Sequence, residues 1–244
     1  PSTTVKYNVE KYFMETDGTT YTLDAAKSET KYDGVAGVEK TITPDTYEGF
    51  TFDSDNANNV LTAMVKGNGT TTFKVYYDRN KVKVTINGKE EEKYYGEEIK
   101  EEDMPEHPTA PEGKEPDGWV DGNGDPIEFP IKVGTEDIVI EPNYKASEID
   151  ITFMNGDAVA QSGKQTYGEK LAVPADPSLA GHSFDGWYAG ETKVVAGTTT
   201  VPATATTYTA KFTPNNYTVT FKADGATVQT GEYAFGTKIS TIVP

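Results

Sequence analysis

Four Asx-Gly pairs recur along this chain at a nearly constant interval. Asp17-Gly18, Asn87-Gly88, Asn155-Gly156 and Asp224-Gly225 lie 70, 68 and 69 residues apart. Before them run the alternating stretches Val5, Tyr7, Val9; Val82, Val84, Ile86; Ile149, Ile151, Phe153; and Tyr217, Val219, Phe221. Alternation ending in Asx-Gly is the strongest short-range hairpin signal, because both residues tolerate the positive φ of a type I′ turn. A fixed period of this length predicts an array of small units stacked in tandem.

Other patterns keep the same step. Asp117-Gly118-Trp119 and Asp185-Gly186-Trp187 are 68 apart. Tyr95-Gly96-Glu97-Glu98-Ile99, Tyr167-Gly168-Glu169-Lys170-Leu171 and Phe235-Gly236-Thr237-Lys238-Ile239 repeat at steps of 72 and 68, and Tyr144 and Phe212 close two copies 68 apart. The expected units are 1–79, 80–146 and 147–213, with 214–244 a truncated fourth unit holding only its first hairpin. The first unit keeps the opening strand and Gly49-Phe50-Thr51-Phe52-Asp53 but lacks the Trp, so it is a divergent copy. A Trp fixed beside a Gly turn reads as a core residue rather than a sugar platform. On that argument Trp119, Trp187, Tyr95, Tyr167, Phe235, Tyr144 and Phe212 are the expected structural core.

Residues 147–213 carry an alternating first strand, Tyr167-Gly168-Glu169, prolines, Gly181-x-x-Phe184-x-Gly186-Trp187-Tyr188 and a final aromatic strand. This pattern resembles the internalin B-type, or Listeria–Bacteroides, repeat. The second unit departs from it, with Pro116 for the Phe and Val120 for the Tyr. The first, through Tyr47 to Asp53 and Thr70 to Asn80, resembles mucin-binding-protein-like domains. The resemblance implies tandem β-grasp-like units on a bacterial, extracellular, cell-surface protein, and it brings no catalytic residues. It adds to a fold class read from the residues as mainly β with short helical crossovers, the units forming an elongated array.

Composition narrows the function. The 244 residues include no Cys, so disulfides cannot compensate for the small cores of such units. Net charge is −17, concentrated in 80–146, where 8 Lys face 18 acids. Nucleic acid needs a basic footprint and is excluded as a partner, and an anionic membrane is disfavoured. No apolar run approaches a membrane span. Because the chain stops inside a repeat, it is expected to be a piece of a longer protein whose signal and anchor lie outside it.

Linkers are short and hold no Gly/Ser tract: Tyr76 to Val82, Lys145 to Glu148 and Thr213 to Asn216. Such joints predict a semi-rigid rod in which units touch only their neighbours. Within a unit the reading is a hairpin, a crossover, then two strands. Glu97 to Met104 is the stronger helical candidate, and Glu169 to Ala175 is held to a single turn by Pro174 and Pro177. Closing strands are expected over Thr71 to Tyr77, Asp137 to Tyr144 and Tyr208 to Phe212.

Candidate chemistry is sparse. Asp121, Asn123 and Asp125 begin a calcium-loop pattern, but Pro126 and Lys132 stand where Gly and Glu are needed, so a Gly-rich hairpin tip is favoured and no cofactor is expected. Asp53, Asp55 and Asn58 form a weaker cluster of the same kind. Gly181 to Gly186 has one residue too many for a nucleophile elbow. Two His and no Cys argue against zinc or a Cys–His pair, and Glu90-Glu91-Glu92 reads as a solvated hairpin arm rather than a glycosidase pair. Tyr12, Tyr21, Tyr32 and Tyr188 are the surface ligand candidates. Lys6, Lys74 and Lys211 are candidates for a Lys–Asn isopeptide cross-link. The leading reading is a non-catalytic stalk segment that spaces or presents an adhesive domain. The alternative is that the repeats themselves bind a host glycan or protein. A monomer is expected, with edge pairing through 217–244 as its competitor.

Overall fold

A computed structural model of the chain describes residues 4–238, and over these it is mainly β-strand with no α-helix. Ile239 and the rest of the expected fourth unit lie outside the described residues. The chain divides into two compact bodies: residues up to Pro108 with Gly118–Asn143, and Thr109–Asp117 with the residues from Tyr144 onward.

In the first body, the opening unit holds β1 (Thr4–Met14), β2 (Tyr21–Leu23), β3 (Glu29–Val35), β4 (Glu39–Thr41), β5 (Phe50–Phe52), β6 (Thr62–Met64) and β7 (Thr72–Arg79). Strand β1 alternates strictly, because a side chain on a strand points to opposite faces at successive residues. Its inner face supplies Tyr7, Val9 and Phe13, which pack on Phe73, Val75 and Tyr77 of β7. These two strands run parallel, from Asn8 opposite Thr72 to Phe13 opposite Tyr77. The other edge of β1 is covered in two pieces, by β2 and β3. The Asp17-Gly18 pair therefore sits in a wide loop, where Glu15 and Thr20 pair and the Asp17 carboxylate accepts from the Thr19 and Thr20 N–H groups.

The second unit adds β8 (Lys81–Ile86), β9 (Lys89–Tyr94), β10 (Glu98–Ile99), β11 (Lys114–Asp121), β12 (Ile131–Lys132) and β13 (Ile138–Ala146). Its main sheet has the order β11-β13-β8-β9, with β8 and β13 again parallel. Val82, Val84, Ile99, Trp119, Val133 and Ile140 form its core. Asn87 and Gly88 both take positive φ in the two-residue β8–β9 turn.

The second body holds β14 (Glu148–Asn155), β15 (Ala158–Thr166), β16 (His182–Ala189), β17 (Thr192–Lys193) and β18 (Thr206–Pro214), in the order β15-β14-β18-β16-β17. Strands β14 and β18 are parallel. Ile149, Ile151, Phe153, Leu171, Trp187, Val201 and Tyr208 fill the core. Here the turn is Gly156-Asp157, one residue later than expected, because Asn155 pairs with Ala158 after a bulge. A hairpin of β19 (Asn216–Ala223) and β20 (Ala226–Ala234) follows, turning at Asp224-Gly225.

The helical crossovers are absent. Over Glu97 to Met104 the chain forms β10 and a single 3-10 turn at Glu101–Asp103. Glu97 and Glu101, and Glu98 and Glu102, would be like-charge i,i+4 pairs on a helix, and Pro105 forbids extension. Over Glu169 to Ala175 the chain makes no helical turn: Lys170 forms an isolated bridge with Thr200, and the Leu171 N–H donates to the Thr199 carbonyl. The closing strands also run further than expected, to Arg79, Ala146 and Pro214.

Candidate functional site at the joints between units

Because the closing strands are long, one residue separates each from the next opening strand: Asn80, Ser147 and Asn215. All three make the same two hydrogen bonds. The N–H groups of Asn80, Ser147 and Asn215 donate to the carbonyls of Gly49, Gly113 and Gly181 at 2.9, 2.9 and 2.8 Å. Their own carbonyls accept from the N–H groups of Tyr95, Tyr167 and Phe235 at 2.8, 2.9 and 2.8 Å. The aromatic that follows each first hairpin is thereby laid over a glycine of the unit before it.

The glycines are needed for two reasons. Gly49, Gly113 and Gly181 have φ of 74°, 70° and 73°, a left-handed conformation that costs other residues roughly 1–2 kcal/mol. A Cβ on them would also fall 2.2, 2.4 and 2.3 Å from the rings of Tyr95, Tyr167 and Phe235. These three aromatics, expected in the core, instead lie at the joints: Tyr95 and Tyr167 are half-buried and Phe235 is 49% exposed. The sequence signal was present but non-local, since both motifs recur in step while their pairing crosses from one unit to the next.

The first joint carries extra bonds. Arg79 donates from Nε to the Met14 carbonyl at 2.8 Å and from Nη1 to the Tyr95 carbonyl at 2.7 Å, with its guanidinium over the Phe50 ring. Gly18, in the wide loop, packs so closely on Tyr94 that a Cβ would meet the phenol oxygen. At the other joints the positions matching Arg79 are Ala146 and Pro214, which cannot donate in this way.

Elsewhere the expected residues fall as follows. Trp119 and Trp187 are buried in their units' cores. Tyr144 is half-buried in β13, and Phe212 packs edge-on against Phe184. Asp121 closes a tight tip: its carboxylate accepts from the N–H groups of Asp125 and Asn123, and these bonds lower its pKa. Asn123 and Asp125 flank it, exposed. Among the described residues no group of three or more His, Cys, Asp or Glu is placed to hold a metal. Glu90, Glu91 and Glu92 stand on the solvent-facing strand β9 beside Lys83, Lys93 and Lys81. Lys6 lies against Gly69, Lys74 over the Tyr12 ring, and Lys211 between Glu191 and the Tyr188 ring. Tyr12 stacks on Tyr76, which Tyr21 meets edge-on; Tyr32 is exposed, and Tyr188 donates to Asp185.

One charged group escaped the sequence reading. Lys11 sits on the inner face of β1, only 5% exposed, with its ammonium 2.6 Å from Asp45 and 3.2 Å from Glu29. Burial alone would push its pKa down, but the hydrogen bonds to Asp45, Tyr47 and Glu29 outweigh it and hold the pKa above the ordinary lysine value. It shares the inward phase of Tyr7 and Val9 on β1, and its charge gave no hint of its partners.

Residues 150–211 match the Listeria-Bacteroides repeat domain. That span takes in most of the third unit, including Ile151, Phe153, Trp187 and Tyr208 of its core and Gly181. The chain is 30% identical over 148 residues, 57% of its length, to a protein of Evansella cellulosilytica described as a membrane protein. A second protein of that organism, described as a Gly-rich membrane protein, is 28% identical over 76% of the chain. Internalin H of Listeria monocytogenes is 35% identical over 45% of it. The chain spans only 22%, 23% and 21% of these relatives' lengths. Among the described residues no helix is long and apolar enough to cross a membrane.

Proposed function

We propose that this chain is a non-catalytic spacer segment of a bacterial cell-surface protein, a run of β-grasp-like units in an elongated array that presents an adhesive domain to the outside. The observation that carries the reading is the threefold joint: one linking residue, the same two backbone hydrogen bonds, and an aromatic seated on a glycine. A joint this short leaves few reachable orientations, which suits a segment whose task is reach. The Listeria-Bacteroides repeat and the likeness to internalin H support a surface location. The first unit's resemblance to mucin-binding-protein-like domains belongs to the same proposal. Small-angle scattering tests it. A compact chain of this length would have a radius of gyration near ~18 Å, whereas an array of such units should exceed about 25 Å. A value near the compact one overturns the spacer.

The second reading, recognition of a host glycan or protein by the repeats themselves, is favoured by one observation. Tyr12, Tyr21 and Tyr76 cluster on the outer face of the first unit's sheet, with Glu10 at the Tyr12 hydroxyl and Asp53 and Asp78 at that of Tyr21. Binding of the chain to a glycan array or host cells, lost on Tyr76→Ala with folding retained, would establish it.

A further inference from the structure

In all three complete units the first and last strands are hydrogen-bonded neighbours and run parallel. The register is Asn8 to Phe13 against Thr72 to Tyr77, Val84 to Ile86 against Ile138 to Ile140, and Ile151 to Met154 against Thr206 to Thr209. Tension along a polypeptide enters a unit at the start of its first strand and leaves at the end of its last. In a parallel pair those points lie at opposite ends of the ladder. Pulling therefore shears the strands past each other, and the whole set of bonds must yield together. In an antiparallel hairpin pulled from its open end, the bonds break in succession, pair by pair.

We propose that the units are load-bearing: the parallel terminal pair of each is a shear clamp that keeps the unit folded under tension transmitted along the chain. The joints fit this role. Asn80 and Ser147 connect one clamp to the next with no slack, Asn215 connects the third clamp to the hairpin that follows, and the backbone bonds of all three to the glycine and aromatic keep the strand ends in place. The hairpin β19–β20 is a built-in contrast. Asn216 lies opposite Ala234 at its open end, so tension unzips it. The clamp also differs among units, with six register pairs in the first, three in the second and four in the third. The first unit should hold longest and the second shortest. The inference rests on the spacer reading for its use in the cell, but not for its physics.

Single-molecule force spectroscopy decides it, since forced unfolding reports the unfolding barrier directly. With handles at the two chain ends, three high-force events are expected, each releasing roughly 200–250 Å of chain, after a low-force opening of 216–234. The absence of Cys makes attachment unambiguous. Handles on Glu148→Cys with Pro214→Cys load the β14–β18 clamp, and handles on Glu148→Cys with Thr166→Cys peel the β14–β15 hairpin. At one loading rate the first geometry should need at least about twice the force of the second, because bonds loaded together share one barrier. Equal or lower force overturns the clamp, and three end-to-end events no stronger than the hairpin opening do so without any substitution. Either result would leave the spacer reading intact, whereas a compact scattering profile would remove the spacer and leave the clamp.

Discussion

The ring of Tyr95 occupies the place where a side chain on Gly49 would stand, 2.2 Å from the nearest possible Cβ. The two residues belong to successive units, so the contact is a joint rather than a core. Because the atom met is in the body of the ring and not the tip of a flexible chain, no small shift relieves it.

Gly49→Ala should therefore cost at least the roughly 1–2 kcal/mol of a left-handed alanine, plus the displacement of Tyr95. Tyr95→Ala removes a half-buried ring, worth about 1–2 kcal/mol. With the ring gone, Gly49→Ala meets only the backbone penalty. The double variant should be less destabilised than the sum of the singles, by at least about 0.5 kcal/mol. Chemical denaturation of the four proteins measures this, and strict additivity would separate the glycine from the tyrosine.

The Lys11 cluster makes a pH prediction. Asp45 has a lowered pKa, the Lys11 hydrogen bond being the main cause. The stabilisation is thus present above the ordinary aspartate value of about 4 and is lost as pH falls through the lowered one. Lys11, raised, keeps its share until pH climbs past the ordinary lysine range. Asp45 is half-exposed, which discounts the pair, so Asp45→Asn should cost only about 1 kcal/mol at pH 7. The gap between wild type and Asp45→Asn should close as pH falls through that lowered value. A gap that persisted there would assign the effect to something other than this charge.

Much of this was legible in the sequence, and the misses have physical causes. Alternation pointed to the buried faces of the opening strands, where Val82, Val84, Ile151 and Phe153 face inward as strands of one-sided sheets must. The acidic segment Glu97 to Met104 looked helical by composition, yet like charges at i,i+4 and the proline beyond it left a 3-10 turn. Tyr95, Tyr167 and Phe235 were recognised as a pattern but assigned to the wrong partner. A motif that recurs says that a residue is needed, while the contact it makes 46 or 54 residues back, at Gly49, Gly113 and Gly181, emerges only once the chain is folded.

Trp187 offers a cleaner test of core packing than most tryptophans. It is buried against Phe153 and Phe184, and its indole Nε1 has no hydrogen-bond partner. Trp187→Phe therefore forfeits volume alone and should cost about 1–2 kcal/mol, while Trp187→Ala should cost about 3–5 kcal/mol and unfold the third unit. Calorimetry distinguishes the two. A Trp187→Phe variant as damaged as the alanine would mean that the indole N–H matters.

The hairpin β19–β20 tests whether the joint can hold an element that has no core of its own. A two-stranded hairpin is marginal in isolation. Its attachments in the structure are the Asn215 bonds to Gly181 and Phe235, the Phe235 ring over Gly181, and that ring's edge contact with His182. Phe235→Ala keeps the backbone bonds and removes the ring. Losing about 1–2 kcal/mol would raise the opened fraction of 216–234 some 5- to 30-fold, which limited proteolysis of a dilute solution reads as faster cleavage within β19 and β20. The exposed edges of the hairpin suggest a competing source of protection, pairing with a second molecule. Dilution separates the two: protection supplied by the joint is independent of protein concentration and falls with Phe235→Ala, whereas protection by edge pairing fades on dilution and survives the substitution.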